Sequence, residues 1–359
     1  MMKRIRVLIA DDSSLARSLL RSFLENESDM DVVGEAANGR EAVELARELK
    51  PDLITMDIEM PVMNGMDAIE EIMCSKAIPI LVVSSVADAR NALDAVGRGA
   101  LEVVSKPDYT PEEAANFVNK VRLLAGVVVI TRLRPRKAAD TAPPLPQRQP
   151  SVFAPVSGAD NYARVFAIAC STGGPQALAQ ILPALPAGFP CPVVIAQHIS
   201  DGFAGGMVEW LARLCKLPVR LAADGDALQS GVIHISPSEQ HCSVTPSRRI
   251  AFVKRTPQDI YHPSCDVLLG SVAEVFRQQA IGIILTGMGR DGAQGIARIR
   301  AMGGLTLGQD EASSIVYGMN RVATEAGDVQ QVLPLDAIAG EMLRLTQTRM
   351  RAAATGSAA

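Results

Sequence analysis

At 359 residues the chain exceeds what one ordinary core accommodates, so two domains are expected. Hydrophobic residues at 48% and charged residues at 21% exclude wholesale disorder, and a formal charge of −4 counts against a broad nucleic-acid-binding surface. Six scattered cysteines with no CxxC pair exclude a disulfide frame or a thiolate zinc site and point to a reducing cytoplasm.

The N-terminal stretch MMKRIRVLIADDS runs from a short apolar segment straight into Asp11 and Asp12. It reads as a buried strand and not a signal peptide, and no window of the chain is long enough to span a bilayer. Apolar runs at 6–10, 32–36, 53–56, 80–83 and 102–104 alternate with amphipathic stretches such as LARSLLRSFLEN and GREAVELAREL. Five βα units predict a doubly wound, parallel sheet covered on both faces. Ligands of such sheets bind beyond the carboxyl ends of the strands. There the sequence puts Asp11 and Asp12 after the first strand, Asp57 after the third, Ser84 after the fourth and Lys106 after the fifth. Three carboxylates on one edge repel one another unless a hard cation lies among them, and Mg²⁺ suits such oxygens. The lysine and the hydroxyl are suited to phosphoryl oxygens. Each acid alone could equally cap the next helix; the five residues together argue for a site.

IADDS, DIEMPVMNG, VVSS and SKP resemble the receiver domain of two-component response regulators, over roughly residues 4–125. The resemblance implies a flavodoxin-like fold with Asp57 as phosphoacceptor. It also implies Mg²⁺ held by Asp11, Asp12 and Asp57, a phosphoryl group bound by Ser84 and Lys106, and a histidine kinase as phosphodonor. One departure is Val103, where many receivers carry an aromatic switch residue.

From 132 to 158 the sequence becomes RLRPRKAADTAPPLPQRQPSVFAPVSG, without hydrophobic periodicity, as expected of a linker. The expected division is 1–125, a linker over 126–161, a second domain over 162–348 and a tail over 349–359. In the second domain, apolar runs at 165–169, 192–197, 219–222, 231–235, 281–286 and 305–307 alternate with helical stretches after Gly174, around Trp210 and after Gly292. A second, mainly parallel α/β sheet is predicted, with a hairpin-like stretch over 231–254 adding antiparallel strands. Nothing short, helical and basic suggests a DNA-binding output.

Gly287, Gly289 and Gly292 spell GxGxxG, and Asp310 falls nearly twenty residues later, where a ribose-binding acid would sit. A receiver-linked dinucleotide-binding or oxidoreductase module is therefore the alternative reading. Against it, the charge of Asp291 inside the glycine turn opposes a pyrophosphate, and little chain remains for a second nucleotide half.

The stretch AIACSTGGPQAL ends an apolar strand on Ser171. Ser171, His198 and Asp291 each follow a strand and would supply a nucleophile, a base and an orienting acid. A serine hydroxyl needs a base, and imidazole titrates near working pH. Ser171 could instead cap the following helix. Among the other histidines, His234 lies in an alternating strand, His241 in a polar loop and His262 before a proline. Asp266 reads as a helix N-terminal acid.

CSTGGPQAL, QHI, the YHPSCDVLL segment, ILTGMGRDGAQG and LGQDEASSIVYGMN resemble the catalytic domain of chemotaxis protein-glutamate methylesterases. The resemblance implies a phosphorylation-activated serine hydrolase. It would demethylate glutamate γ-methyl esters on chemoreceptors and deamidate selected receptor glutamines, with no cofactor for hydrolysis. Methylated chemoreceptors would be the substrate, without membrane insertion or nucleic acid. Ser171, His198 and Asp291 would be the triad, with Thr172 and the backbone around His198 and Met288 where an oxyanion is held. Ala169 and Cys170 stand where the family often has glycine and alanine, and Ile199–Ser200 where it often has Met-Pro.

Overall fold

The computed structural model describes residues 4–85, 89–129, 162–256 and 258–355. The linker expected over 126–161 lies outside the described residues from 130 onward.

The first domain runs β1 (Ile5–Ala10), α1 (Ser14–Glu25), β2 (Met30–Ala36), α2 (Gly39–Leu49), β3 (Leu53–Met56), α3 (Gly65–Ser75), β4 (Ile80–Ser84), α4 (Ala89–Ala92), α5 (Asp94–Arg98), β5 (Glu102–Ser105) and α6 (Pro111–Leu124). Polar side chains set where its long helices begin. Ser13, Asn38, Asn64 and Thr110 each accept a hydrogen bond from an otherwise orphaned first-turn N–H. The five strands are parallel, in the order β2-β1-β3-β4-β5. The order reverses between β1 and β3, so the crevice between their carboxyl ends receives Asp11 and Asp57.

The second domain runs β6 (Val165–Cys170), α7 (Gly174–Ile181), β7 (Val193–Gln197), α8 (Ala204–Leu214), β8 (Val219–Leu221), β9 (Ile233–Ile235), β10 (His241–Val244), β11 (Ile250–Val253), α9 (Cys265–Phe276), β12 (Ala280–Ile284), α10 (Ala293–Ala301), β13 (Leu305–Gln309), α11 (Met319–Glu325), β14 (Gln331–Leu333) and α12 (Leu335–Thr355). Seven parallel strands form one sheet in the order β14-β13-β12-β6-β7-β9-β8. Its switch point lies at β6, flanked by β12 and β7. Side chains of β6 alternate between the two cores: Phe166 and Ile168 pack on one face, Val165 and Ala167 on the other.

The hairpin expected over 231–254 differs in one respect. Its first strand, β9, joins the main sheet in parallel, while β10 and β11 pair antiparallel as a separate sheet against α9. Ser236 N still bonds Ile195 O, but Pro237 follows and has no N–H to continue the ladder. Strand β14 was not expected, because this short edge strand is mostly exposed and carries no apolar run. Helix α12 continues through Thr355, into the segment expected as a tail.

The domains share a face. Helices α4 and α5 pack on α8 and α7, and buried side chains form one apolar cluster from Val96, Ala100 and Val103 to Met207 and Trp210. Gln176 Nε2 donates to Ala100 O at 2.6 Å, Ser105 N donates to Ser200 Oγ at 3.4 Å, and Arg213 pairs with Asp94.

Candidate active and phosphorylation sites

Cys170 on β6 pairs with Gln197 on β7, so Ser171 and His198 leave neighbouring strands at the same level. Adjacent strands lie about 4.8 Å apart, which brings these two residues side by side. Three bonds fix the serine's backbone. Ser171 N donates to Thr286 O at 3.1 Å, while its carbonyl accepts Gly174 N at 2.7 Å and Gln197 Nε2 at 2.8 Å. The same Gln197 amide donates to His198 O at 2.7 Å, tying the two strand ends together. The left-handed position before α7 belongs to Gly173, at φ 80°, so Ser171 does not cap that helix. Gly287 packs on the serine closely enough that an added Cβ would lie 2.7 Å from Ser171 Cβ.

His198 Nε2 lies 2.8 Å from Asp291 Oδ2, and its ring stacks on Tyr261 with centroids 5.1 Å apart. With Nε2 engaged by the carboxylate, Nδ1 is the imidazole nitrogen without a hydrogen-bond partner among the described residues. Asp291 sits against the first turn of α9. Its Oδ2 accepts Cys265 N at 2.6 Å, and its Oδ1 accepts Asp266 N at 3.0 Å and Ser264 Oγ at 3.1 Å. Burial opposes its charge, but His198 and these helix N-terminal donors outweigh it and hold the carboxyl below the ordinary range. Asp266 has a different fate. Burial and the neighbouring Asp291 charge push it up to about 6, and its Oδ1 accepts Gly295 N at 2.7 Å. It is a first-turn acid of α9 that braces α10.

Thr172 is buried; its carbonyl accepts Thr286 Oγ1 at 2.9 Å, and its Oγ1 accepts Lys120 Nζ of α6 at 3.3 Å. Met288 is 45% exposed beside Gly287. The N–H groups of Thr172 and Met288 have no acceptor among the described residues, whereas His198 N–H is committed to Cys170 O at 3.0 Å.

Among the other histidines, His234 is buried in β9, where burial lowers its pKa to about 4. His241 is no loop residue: it opens β10 and is 3% exposed. Sequence reasoning also missed Gln197, Tyr261 and Ser264 as site residues. Only Ser264 left a readable signal, a serine directly before an acid-bearing helical turn.

The glycine turn is filled by the protein itself. A side chain at Gly289 would meet Tyr261, and one at Gly292 would meet Ala169 and Cys265. Asp310 accepts Ser313 N at 3.0 Å and braces its own loop. These glycines make room for neighbouring side chains of the protein itself, and the dinucleotide reading has no support.

In the first domain, Lys106 Nζ lies 2.8 Å from both Asp11 Oδ2 and Asp57 Oδ2. Burial and the Asp11 charge raise the Asp57 pKa against the pull of Lys106. Burial works against the Lys106 ammonium, but its bonds to Asp11 and Asp57 prevail and raise its pKa. Carboxylate oxygens of Asp11, Asp12 and Asp57 all lie within 4.8 Å of one another, with Asp11 and Asp57 buried and Asp12 exposed. An all-oxygen set open to water on one side fits a hard divalent cation. Ser84 is fully buried, and its hydroxyl has no partner among the described residues. Val103 is buried in β5, with no ring to rotate.

The CheB methylesterase family model matches residues 166–342, and the response regulator receiver domain model matches residues 7–117. A protein-glutamate methylesterase/protein-glutamine glutaminase of Paramagnetospirillum magneticum is 54% identical over 98% of both chains. Another, from Cupriavidus pinatubonensis, is 39% identical over 95% of this chain and 97% of its own. The crystal structure of the Thermotoga maritima CheB methylesterase catalytic domain aligns at a TM-score of 0.50 and 31% identity, covering 52% of this chain and all of that one. With a receiver sheet ahead of a methylesterase sheet, and relatives alike along their whole length, the chain belongs to the protein-glutamate methylesterase/protein-glutamine glutaminase family.

Proposed function

We propose that this chain is a phosphorylation-gated serine hydrolase that removes methyl groups from glutamate γ-methyl esters on chemoreceptors and deamidates selected receptor glutamines. The observation that carries the reading is the 2.8 Å bond from Asp291 to His198 Nε2, on a histidine beside Ser171. Ser171 Oγ attacks the ester carbonyl and gives its proton to His198 Nδ1. Asp291 fixes that tautomer and stabilises the imidazolium. The N–H groups of Thr172 and Met288 are the donors offered to the oxyanion. His198 then protonates the departing methoxide, and water hydrolyses the γ-glutamyl ester on Ser171, returning the proton through the same imidazole. A glutamine presents the same carbonyl with ammonia as the leaving group.

The working domains are a receiver over 1–125, a linker over 126–161, a hydrolase over 162–348 and a tail over 349–359, into which α12 runs as far as Thr355. A chemotaxis histidine kinase supplies the phosphoryl group to Asp57. Asp11, Asp12 and Asp57 would hold Mg²⁺, which when bound offsets carboxylate charge against the incoming phosphate. Lys106 and the Ser84 hydroxyl then take phosphoryl oxygens. Lys106 adjoins Ser105, whose N–H bonds Ser200, two residues past His198. That contact, from a backbone N–H to a side-chain hydroxyl, offers a route from the phosphoryl site to the catalytic loop without an aromatic switch. The receiver also reaches the nucleophile turn through Lys120. Unphosphorylated, it screens the cleft from a large receptor.

The reading is tested with methylated receptor membranes and the intact chain, with and without phosphodonor. Methanol release that rises on phosphorylation, with conversion of receptor glutamines to glutamates by mass spectrometry, is expected. No methanol in either state would overturn the reading.

A further inference from the structure

Behind the Asp291 carboxylate stands a second histidine–carboxylate pair. His241 Nε2 lies 3.1 Å from Asp259 Oδ2, and its Nδ1 accepts Ser264 N–H at 2.9 Å. A ring nitrogen that accepts carries no proton, so the Ser264 bond leaves Nε2 as the N–H that donates to Asp259. Asp259 is itself steadied by Thr256 N at 2.6 Å. Thr256 N–H and His241 together hold its carboxyl down at about 2, so it is ionised wherever the enzyme works. On the far side, Ser264 Oγ donates to Asp291 Oδ1. One line of contacts thus runs Asp259, His241, Ser264, Asp291, His198.

Residues 264–266 supply three of the four donors to Asp291; the fourth is His198. Whatever fixes that turn fixes the acid. The segment leading into it is only partly covered: Ile260 is 84% exposed, Tyr261 and His262 are half-buried and Pro263 is buried. His241 is 3% exposed on a strand that packs against α9, and it grips the first residue of the turn.

We propose that His241 is a positioning residue for the hydrolysis. With Asp259 it anchors the backbone of Ser264, and through that turn it holds Asp291 on His198 Nε2. This inference rests on the reading of Asp291 as the orienting acid.

The test measures kcat and KM for methanol release by the intact, phosphorylated chain. His241→Ala removes the acceptor for Ser264 N–H and should lower kcat roughly ten- to a hundredfold at near-constant KM, as expected when a catalytic group is displaced. His241→Asn places an amide oxygen near the Nδ1 position and should recover most of that loss. Asp259→Ala, at a partly exposed site whose side chain makes polar contacts to Thr256 and His241, should lower kcat in the same direction and keeps the test available if His241→Ala folds poorly. The deciding readout is a double-mutant cycle with Asp291→Asn. If His241 acts through Asp291, adding His241→Ala to Asp291→Asn should cost less than about twofold. An equal loss in both backgrounds, or full activity in either His241→Ala or Asp259→Ala, would overturn the proposal. Full activity in Asp291→Asn itself would remove the acid assignment beneath it, a separate failure.

Discussion

Lys120 offers a direct way to loosen the contact between receiver and hydrolase. From α6 its ammonium reaches Glu102 of β5 on its own domain and Thr172 Oγ1, next to the nucleophile, on the other. Its side chain is 26% exposed, so the interaction is partly screened, and about 1 kcal/mol is a fair value for its loss. One kcal/mol corresponds to about fivefold in the ratio of closed to open forms. Lys120→Met keeps the apolar stem and removes only the charge and the donor. Unphosphorylated methanol release should then rise about fivefold, while the phosphorylated rate, set by the open form, stays nearly constant. Arg213→Ala, which breaks the more exposed pair with Asp94, should change the basal rate less than about twofold. Methanol release from methylated receptor membranes, with and without phosphodonor, reads both effects. Equal increases in the two phosphorylation states, or a slower unphosphorylated enzyme, would refute the screening argument.

Asp57→Asn should abolish Mg²⁺-dependent phosphoryl labelling, and chelation should abolish it in the wild type; label retained by the variant would place the acceptor elsewhere. Gly287→Ala pushes a methyl group against Ser171 and should lower kcat at least tenfold, with about 1–3 kcal/mol of destabilisation by urea titration; an unchanged kcat would mean that the turn has slack. His234 gives a pH signature. Its folded pKa of about 4 lies below the ordinary 6.5, so the unfolded chain binds the extra proton and stability falls as pH drops from 6.5 towards 4. Between pH 7 and 5 this amounts to about 2 kcal/mol, which His234→Leu should remove; an unaltered pH slope in that variant would contradict the burial argument.

The receiver was almost fully legible because each of its signals is local. Apolar runs mark strands, capping residues mark helix starts, and chemistry sits at strand ends. In the hydrolase, the placement of Ser171 and His198 at strand ends was readable for the same reason. The anchoring of Asp291 was not. It depends on α9 presenting its N-terminus to a loop 26 residues further along the chain, and no periodicity encodes that meeting. His241 was misread because a histidine beginning a short hairpin strand looks like a loop residue until α9 covers it. Strand β14 escaped because an edge strand need not be apolar. The glycine turn misled in the other direction: its spacing fits a dinucleotide loop, yet its glycines serve close packing by Ser171, Tyr261 and Ala169.

The central claim is that Ser171 is the nucleophile, and methanol release by the intact, phosphorylated Ser171→Ala chain tests it most directly. The side chain is small and lies in a turn whose bonds are made by its backbone, so the variant should keep the wild-type circular dichroism and melting curve. Its turnover should fall by roughly 10⁶-fold, as for loss of a triad nucleophile. A folded Ser171→Ala chain that retained more than about a tenth of wild-type methanol release would contradict the account.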